Sequence, residues 1–380
     1  MEYKICSRCI MDTTSDPNIV LDDKGVCNYC NSYDKIWEKR KRKINSTKNG
    51  LEGLFDKIKQ DGKSKEYDCI IGMSGGVDSA YLAYIAKQYG LRPLVVHVDA
   101  GWNSEIAVQN IEKMCKKLEF DLHTVVIDWP TMKELQRAYM FSGLANLDVP
   151  QDHCFFSAVW QFSRKYHIKY VLSGSNFATE GILSKAYQYT NGDWKNIKDV
   201  YSKNGRGIVS LKKYPHVGII GFLKMKYGVS SLKQVMPLDY IEYSKEKAIE
   251  VLEREFGWKY YGGKHYESRF TKFFQETYLP QRYGWEKRRD HLSSLIVGGE
   301  MTRDDALREI SVQPSTTAQM KEDLEYVLKK LDISNDEWES IILAPKKNGE
   351  DYKSYSNFIF HFDKAKSIVK QIASKMNIDV

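Results

Sequence analysis

The chain has 380 residues, of which 42% are hydrophobic and 28% are charged, and its formal net charge is +7. This length allows two domains, or one large domain with appendages. No run of about 18 apolar residues occurs, and the N-terminal stretch lacks the apolar core of a signal peptide, so we expect a cytoplasmic protein without a membrane partner. The modest positive charge suits anionic small molecules such as nucleotides, and we do not expect a nucleic-acid partner.

Four of the seven cysteines form two CxxC pairs near the N-terminus. Cys6 and Cys9 form the first CxxC sequence and Cys27 and Cys30 form the second, and 17 residues separate the two. Four thiolates presented by two such turns complete a tetrahedral site, so we predict a structural Zn²⁺ ion bound by all four. An iron–sulfur cluster is the alternative, because four thiolates also bind such clusters. Residues 1–45 are therefore predicted to form a zinc knuckle followed by a basic helical connector.

The next informative string is Gly-Met-Ser-Gly-Gly-Val-Asp-Ser at residues 72–79, which follows a short apolar run and precedes a helix-forming stretch. Glycines let the backbone turn sharply and bring its N–H groups close to an anion, and the following helix directs its positive end at the same anion. A Walker A loop does not fit, because no Lys follows the glycines, and the GxGxxG fingerprint is absent.

This SGGVDS string resembles the PP-loop of the ATP pyrophosphatase superfamily, whose members split ATP between the α and β phosphates. We therefore expect ATP and Mg²⁺ to bind here, with Asp78 as a Mg²⁺ ligand or as the residue that orients the loop. The residues predicted to contact ATP in this loop are Ser74, Gly75, Gly76, Val77, Asp78 and Ser79.

Strand and helix patterns alternate along the following hundred or so residues. The predicted strands are Asp68–Met73, Pro93–Val98, Asp121–Ile127 and Lys169–Ser173. The predicted helices between them are Asp78–Tyr89, Ser104–Leu118, Met132–Leu144 and Cys154–Tyr166. This alternation predicts an α/β fold with a doubly wound parallel sheet of the PP-loop (HUP-like) type, which we assign to residues 46–240.

Ligands of such sheets bind at the carboxyl ends of the strands, which adds candidates beyond the loop. Asp99 follows the second predicted strand and is a candidate contact for the ribose or adenine of ATP, or else a helix cap or turn residue. Gly174, Ser175 and Asn176 follow the fourth strand and are candidate contacts for adenine or phosphate. Glu180 is a candidate second Mg²⁺ ligand, or else an acid in the first turn of a helix.

The remaining chain is predicted to begin with a long loop at residues 185–214 and to become a helical C-terminal region at residues 241–380. The predicted helices there are Ser244–Phe256, Ser268–Leu279, Lys287–Ile296, Thr302–Ile310, Ser315–Leu331 and Lys364–Met376. Two basic segments, 262–272 and 285–291, are candidate clamps for pyrophosphate or a substrate carboxylate, with solvated helix charge as the alternative. We expect Lys264, His265 and Arg269 of the first segment to share one side of a glycine-flanked turn. Of these, Lys264 and Arg269 are expected to act in catalysis with Ser74 and Asp78.

Several segments together resemble the N-acetyl sugar amidotransferase family, which serves bacterial surface polysaccharide synthesis. They are CSRCIMDTTSDPNIVLDDKGVCNYC, YDCIIGMSGGVDSAYLAY, HVDAGWNSE, VLSGSNFATEG and KHYESRFTKFFQ, and the similarity extends to about residue 310. The resemblance implies that an acetamido group on a sugar, commonly a nucleotide-linked one of lipopolysaccharide or O-antigen synthesis, becomes an acetamidino group. Adenylating the amide oxygen makes AMP the leaving group, which ammonia then displaces.

No glutaminase signature is apparent in this sequence. Cys154 stands in Asp-His-Cys-Phe, without the glycines of a nucleophile elbow, and Glu2 rather than a cysteine follows Met1. We therefore expect ammonia from a separate glutaminase subunit, and the resemblance implies a barrel subunit that channels it.

Two other functions remain open at this point. A PP-loop tRNA thiolation enzyme also joins such a loop to paired CxxC elements, and Cys154 is the one cysteine outside the knuckle that is plausible for its sulfur relay. A non-catalytic, zinc-containing nucleotide-binding regulator would bind ATP without turning it over.

Overall fold

The computed structural model describes residues 2–187, 192–226 and 232–355. Its centre is a parallel sheet of five strands in the spatial order β3-β2-β1-β4-β5. The strands are β1 (Cys69–Gly72), β2 (Pro93–Asp99), β3 (Leu122–Val126), β4 (Tyr170–Leu172) and β5 (Lys233–Val235). The predicted α/β fold with a parallel sheet is confirmed.

Helices cover both faces of this sheet and continue beyond it. In chain order they are α1 (Asn28–Asn45), α2 (Gly50–Gly62), α3 (Val77–Gln88), α4 (Glu105–Leu118), α5 (Trp129–Met140), α6 (Val149–Lys165), α7 (Phe177–Glu180), α8 (Trp194–Asn204), α9 (Ile219–Lys226), α10 (Lys245–Phe256), α11 (Arg269–Phe273), α12 (Leu279–Tyr283), α13 (Arg288–Gly298), α14 (Arg303–Ser311), α15 (Thr317–Leu331) and α16 (Asn335–Leu343). One π-helical turn, Phe274–Tyr278, joins α11 to α12.

Alternate residues of the central strands supply two separate hydrophobic cores. Ile70, Leu94 and Val96 pack with α5, α6 and α8 on one face of the sheet. Ile71 and Val95 pack with α2, α3, α4 and α10 on the other face. Both faces are buried because neighbouring side chains of a strand point to opposite sides, as a doubly wound sheet requires.

The strand order creates a crevice beside β1. The chain proceeds from β1 to β2 and β3 in one direction across the sheet, and β4 then pairs with the other side of β1. Connections that leave β1 and β4 on opposite faces open a crevice at the carboxyl ends of these two strands. The SGGVDS loop follows β1 and the Gly-Ser-Asn turn follows β4, so both predicted phosphate-contacting segments border this crevice.

The N-terminal cysteine segment packs against the helical C-terminal region. The guanidinium group of Arg303 donates to the carbonyl oxygens of Cys6 and Cys9, at 3.1 Å in each case. The Tyr33 ring on α1 stacks on Phe177 with ring centroids 4.6 Å apart. The cysteine segment is thereby attached to α7 and α14, two elements that are distant from it in sequence.

The structure differs from the predicted elements in several places. Residues 185–214 are not a loop throughout, because they contain α8, which buries one side against α5 and α6. Helix α6 begins at Val149 rather than at residue 154, and α7, α9, β5 and α16 were not predicted. The predicted helix 364–376 lies outside the described residues. Among the described helices, none combines the length and the apolar character needed to cross a bilayer.

Candidate active site

A cavity of about 900 Å³ opens at the carboxyl ends of the strands. Ser74 and Ser175 line it from the ends of β1 and β4, and Glu180, Lys264 and His291 line it from the surrounding helices and loops. Small-molecule sites occupy roughly 300 to 1,000 Å³, so this cavity is large enough for extended ligands. It is therefore the candidate active site.

The SGGVDS loop has the backbone geometry of an anion cradle. Gly75 has a φ of +88°, and a Cβ atom at this position would lie 2.7 Å from the carbonyl oxygen of Ala107, so only glycine fits. Gly76 precedes α3 and offers no capping side chain to the N–H groups of the first turn. The Ser79 hydroxyl donates to the Gly76 carbonyl at 3.2 Å and fixes the loop. The first turn of α3 thus has no side-chain cap, and the helix dipole favours an anion at this end.

The turn after β4 lies directly against this loop. A Cβ atom at Gly174 would lie 2.7 Å from the Ser79 backbone nitrogen, so glycine allows the close approach. The Asn176 side chain accepts a hydrogen bond from the Thr179 backbone N–H at 2.9 Å and caps α7. Of the three residues predicted to contact the ligand in this turn, Ser175 lines the cavity, whereas Gly174 and Asn176 shape the turn.

Two carboxylates and one ammonium group lie beside the loop. Lys264 Nζ donates to Glu180 Oε1 at 2.8 Å, and the Tyr243 hydroxyl donates to Asp78 Oδ1. Burial, and secondarily the charge of Glu180, raise the pKa of Asp78, while Lys264 opposes this rise. Burial also acts to raise the pKa of Glu180, but Lys264, together with His265 and Ser175, outweighs it and the net pKa is lowered. Carboxylate oxygens are the ligands that Mg²⁺ prefers, so Asp78 and Glu180 stay the candidate Mg²⁺ ligands.

Two further basic residues approach this group. Burial, followed by the charges of Lys264 and Lys245, lowers the pKa of His291 well below its usual value, so the imidazole is neutral near pH 7. Burial also lowers the pKa of Lys245. His265, which follows Lys264, has a φ of +66°, a conformation that non-glycine residues rarely adopt and that often accompanies functional sites.

Sequence reasoning missed Tyr243 and Lys245 because no motif marks them. They lie at the start of α10, and only the fold brings α10 beside α3.

Arg269 does not share one side of a turn with Lys264, contrary to the sequence-based expectation. Its guanidinium group donates to Asp323 Oδ1 at 2.7 Å and to Glu322 Oε1 at 2.9 Å, and it lies over the Tyr326 ring. These partners hold the Arg269 side chain against α15, whereas Lys264 contacts the Glu180 carboxylate beside the loop. The interactions of Arg269 are those of a residue that attaches α11 to α15.

The second basic segment and Asp99 also have local partners. Lys287 pairs with Asp290 at 2.6 Å, Arg288 with Glu286 at 2.8 Å, and Arg289 with Asp12 at 2.9 Å. Asp99 Oδ1 accepts from the Gly101 N–H at 2.8 Å and from Asn103 Nδ2 at 3.3 Å. Asp99 therefore shapes the turn after β2, which was the alternative to ligand binding.

The four N-terminal cysteines converge on one point. Their sulfur atoms all lie within 4.8 Å of one another, with Cys6 and Cys30 at 4.0 Å and Cys9 and Cys27 at 3.7 Å. A tetrahedral ion with bonds of about 2.3 Å to sulfur requires sulfur separations of about 3.8 Å. The four thiols are buried, and the Cys27 backbone N–H donates to Cys6 Sγ at 3.2 Å. The donor set fits Zn²⁺ and is also compatible with an iron–sulfur cluster.

Two family models match different parts of the chain. Residues 267–366 match the C-terminal domain of WbpG-like LPS biosynthesis proteins. Residues 68–171, which contain the SGGVDS loop, β1 to β3 and the start of β4, match the queuosine biosynthesis protein QueC.

Curated relatives match shorter segments. The tRNA(Ile)-lysidine synthase of Chlamydia pneumoniae is 29% identical over 90 residues, which is 21% of this chain and 28% of that protein. The NH(3)-dependent NAD(+) synthetase of Mycoplasma genitalium is 39% identical over 72 residues, which is 18% of this chain and 27% of that protein. The chain therefore spans little more than a quarter of the length of either relative.

Solved structures resemble the chain at low similarity. The NH3-dependent NAD synthetase of Campylobacter jejuni has 13% identity and a TM-score of 0.29, and the match covers 78% of this chain and 96% of that one. The U34-tRNA thiolase NcsA of Methanococcus maripaludis, solved with its [4Fe-4S] cluster, has 13% identity and a TM-score of 0.29, with 82% and 89% covered. Superposition at this level does not bear on the chemistry of the site.

Proposed function

This chain is a PP-loop superfamily member with a WbpG-like C-terminal domain, and from that premise we propose that it is an ATP-dependent amidotransferase of lipopolysaccharide synthesis. The proposed reaction converts the acetamido group of a sugar, carried on a nucleotide, into an acetamidino group. The observation that carries the proposal is the anion cradle of the SGGVDS loop, which contains Asp78, together with the Glu180 and Lys264 side chains that line a cavity large enough for a second substrate.

The residues around the loop are suited to ATP cleavage between the α and β phosphates. The N–H groups at the start of α3 and the Ser74 hydroxyl would bind phosphate oxygens, and the Lys264 ammonium would balance their charge. Asp78 and Glu180 would hold Mg²⁺, which supplies further neutralisation of the phosphates when bound. The Tyr243 hydroxyl keeps Asp78 oriented by donating to its carboxylate.

The proposed chemistry has two steps. The amide oxygen of the sugar attacks the α phosphorus, which releases pyrophosphate and leaves an O-adenylated imidate. Ammonia then attacks the imidate carbon and loses a proton, and the C–O bond breaks to release AMP and the amidinium product. The protein contributes by positioning two anionic substrates and by stabilising charge on the phosphates.

We further propose that the ammonia comes from a separate glutaminase subunit, with a barrel subunit as its channel. The state of the cysteines supports this. The Cys154 thiol is buried, donates to the Gln151 carbonyl oxygen at 3.1 Å, and has its pKa raised to about 12 by burial. A thiol in this environment is a poor nucleophile.

A tRNA thiolation enzyme is the second candidate, because its class also combines paired CxxC elements with a PP-loop. Such an enzyme needs a reactive cysteine at the ATP site. In the described part of the chain, Cys69, Cys115 and Cys154 are all buried, and none of them lines the cavity. Their burial favours the amidotransferase, while a non-catalytic regulator would differ from both by not consuming ATP.

One incubation separates these functions. The chain is mixed with ATP, Mg²⁺, ammonium and a panel of UDP- and CMP-linked acetamido sugars, and the products are analysed by mass spectrometry for replacement of oxygen by NH. The proposal expects pyrophosphate release that depends on both ammonium and one of the acetamido sugars. Sulfur-dependent turnover with tRNA would instead identify a thiolation enzyme, and ATP binding without turnover would identify a regulator.

A further inference from the structure

The first turns of α6 present a polar and aromatic face to the cavity. Asp148, Asp152 and Phe155 are spaced by four and three residues, so they lie on one side of the helix, and all three line the cavity. Asn146, which precedes the helix, lines the same part of the cavity. We call these four residues the α6 face.

Phe155 connects the α6 face to the SGGVDS loop. The Phe155 side chain is 36% exposed, and a Cβ atom at Gly72 would lie 2.4 Å from its Cζ atom. The ring therefore lies over the last residue of β1, two residues before Ser74. Asp152 and Asp148 lie three and seven residues before Phe155. At a rise of about 1.5 Å per residue, they are about 4.5 Å and 10.5 Å nearer the N-terminal end of the helix.

Asn146 carries a donor that lacks a partner. Asn146 is 4% exposed, its Oδ1 accepts from the Asp148 backbone N–H at 3.0 Å, and its Nδ2 is buried without a hydrogen-bond partner among the described residues. A buried donor left unpaired costs roughly 1 to 3 kcal/mol. Asn146 lines the cavity, so a ligand that offers an acceptor oxygen would supply the missing partner.

The carboxylates supply the complementary acceptors. Gln151 Nε2 donates to Asp148 Oδ1 at 2.8 Å and holds this carboxyl group in place. Burial, followed by the nearby charges of Asp152 and, more weakly, Glu267, raises the pKa of Asp148 to about 8, although Thr271 and Gln151 oppose the rise. Near pH 7 the pair therefore retains a proton, and it is able both to accept and to donate hydrogen bonds.

The combination indicates one class of ligand. Carboxylates repel phosphate, so this end of the cavity does not suit the triphosphate of ATP. An exposed aromatic ring beside carboxyl and amide groups suits a ring that has a hydrophobic face and a rim of hydroxyl groups. A sugar ring has both features, whereas ammonia would need no aromatic surface.

We propose that the α6 face binds the hexose ring of the acetamido sugar substrate, with the ring stacked on Phe155 and its hydroxyl groups hydrogen-bonded to Asn146, Asp148 and Asp152. This inference rests on the proposed function, because it assigns the sugar substrate of that same site. The ribose of ATP offers similar hydroxyl chemistry, so the experiment distinguishes the two sources.

The test measures binding without turnover. UDP-N-acetylglucosamine, UDP-N-acetylgalactosamine, UDP alone and Mg²⁺-ATP are each titrated into the wild-type chain and into Asp152→Asn and Phe155→Ala by calorimetry. Loss of one such contact is expected to weaken the binding of the sugar nucleotide by about tenfold or more. The affinities for UDP and ATP should stay within about twofold of the wild-type values. Glu325→Gln, which changes an exposed carboxylate on α15, is the control and should alter none of these affinities.

The outcomes are distinct. Unchanged sugar-nucleotide affinity in both variants would overturn the inference, as would a loss confined to ATP, which would make the face a ribose site. Absence of sugar-nucleotide binding by the wild-type chain would overturn it as well. The variants could lose sugar-nucleotide binding selectively while the wild-type chain forms no amidine. That result would support the inference and refute the proposed reaction. Retained metal content and unchanged ATP affinity show that each variant is folded.

Discussion

Gly174→Ala should impair ATP use by moving the start of α3. The added Cβ atom would lie 2.7 Å from the Ser79 nitrogen and 2.8 Å from the Asp78 carbonyl carbon, whereas ordinary contact begins at 3.4 Å. Both neighbours are backbone atoms of the first turn, so the turn after β4 and α3 must separate by about 0.7 Å, at a cost of about 1 to 3 kcal/mol. Misplacement of reacting groups by about 1 Å lowers rates by up to about a hundredfold.

We therefore expect kcat/KM for ATP to fall between about tenfold and a hundredfold in Gly174→Ala, with unchanged metal content. The assay is sugar-dependent pyrophosphate release at varied ATP, with the thermal midpoint measured in parallel. Gly90→Ala is the matched control, because Gly90 lies just beyond the other end of α3 at a φ of +68°, with no atom within 4 Å of an added Cβ.

The Gly90→Ala strain costs about 1 to 2 kcal/mol without displacing the loop, so its kcat/KM should stay near the wild-type value. Wild-type kinetics in Gly174→Ala would show that close packing of the β4 turn against α3 does not govern ATP use. Equal losses in both variants would show that the effect reflects stability alone.

Three further predictions concern charge and metal. Lys264→Met removes the ammonium group 2.8 Å from Glu180, so the pKa values of Glu180 and Asp78 should rise. Because more of these carboxyl groups are then protonated at low pH, Mg²⁺-dependent ATP affinity should fall more at pH 6 than at pH 8. An identical pH profile in variant and wild type would contradict this. Asp148 has a folded-state pKa of about 8 against about 3.9 when unfolded, so between these values the folded chain binds more protons and this carboxyl group's contribution to stability falls as pH rises. Asp148→Asn should therefore gain stability relative to the wild type between pH 5 and pH 8 in denaturant titrations, and a constant difference would exclude the raised pKa. Metal analysis should find about one zinc per chain. Cys27→Ser should lose this zinc, and its thermal midpoint should fall by several degrees. Iron and sulfide with visible absorption would instead establish an iron–sulfur cluster.

Features determined by local geometry could be predicted from the sequence. The spacing of the CxxC pairs brought Cys6, Cys9, Cys27 and Cys30 to one point, because each pair forms a single turn. The SGGVDS string indicated its own backbone conformation, since Gly75 occupies a position that only glycine fits. The alternating strands and helices gave the parallel sheet, because strands buried on both faces appear as continuous apolar runs.

Features that depend on distant partners could not be predicted in the same way. Arg269 appeared to be a candidate clamp within its basic segment, but Asp323, 54 residues later, holds its side chain. Helix α8 was missed because its segment is polar, yet Trp194, Ile197 and Val200 bury one side of it in the core. Pro150 within the first turn was a signal for the earlier start of α6, since proline favours this position in helices.

In the proposed reaction ATP activates the amide oxygen of an acetamido sugar, and the fate of that oxygen atom is a direct test of this step. The sugar nucleotide that supports turnover is prepared with heavy oxygen in its acetyl carbonyl group and incubated with the enzyme, ATP, Mg²⁺ and ammonium. We expect the heavy oxygen in the phosphate group of AMP, at one atom per amidine formed, because the bond between this oxygen and carbon breaks when AMP leaves. Amidine formation with unlabelled AMP would contradict it.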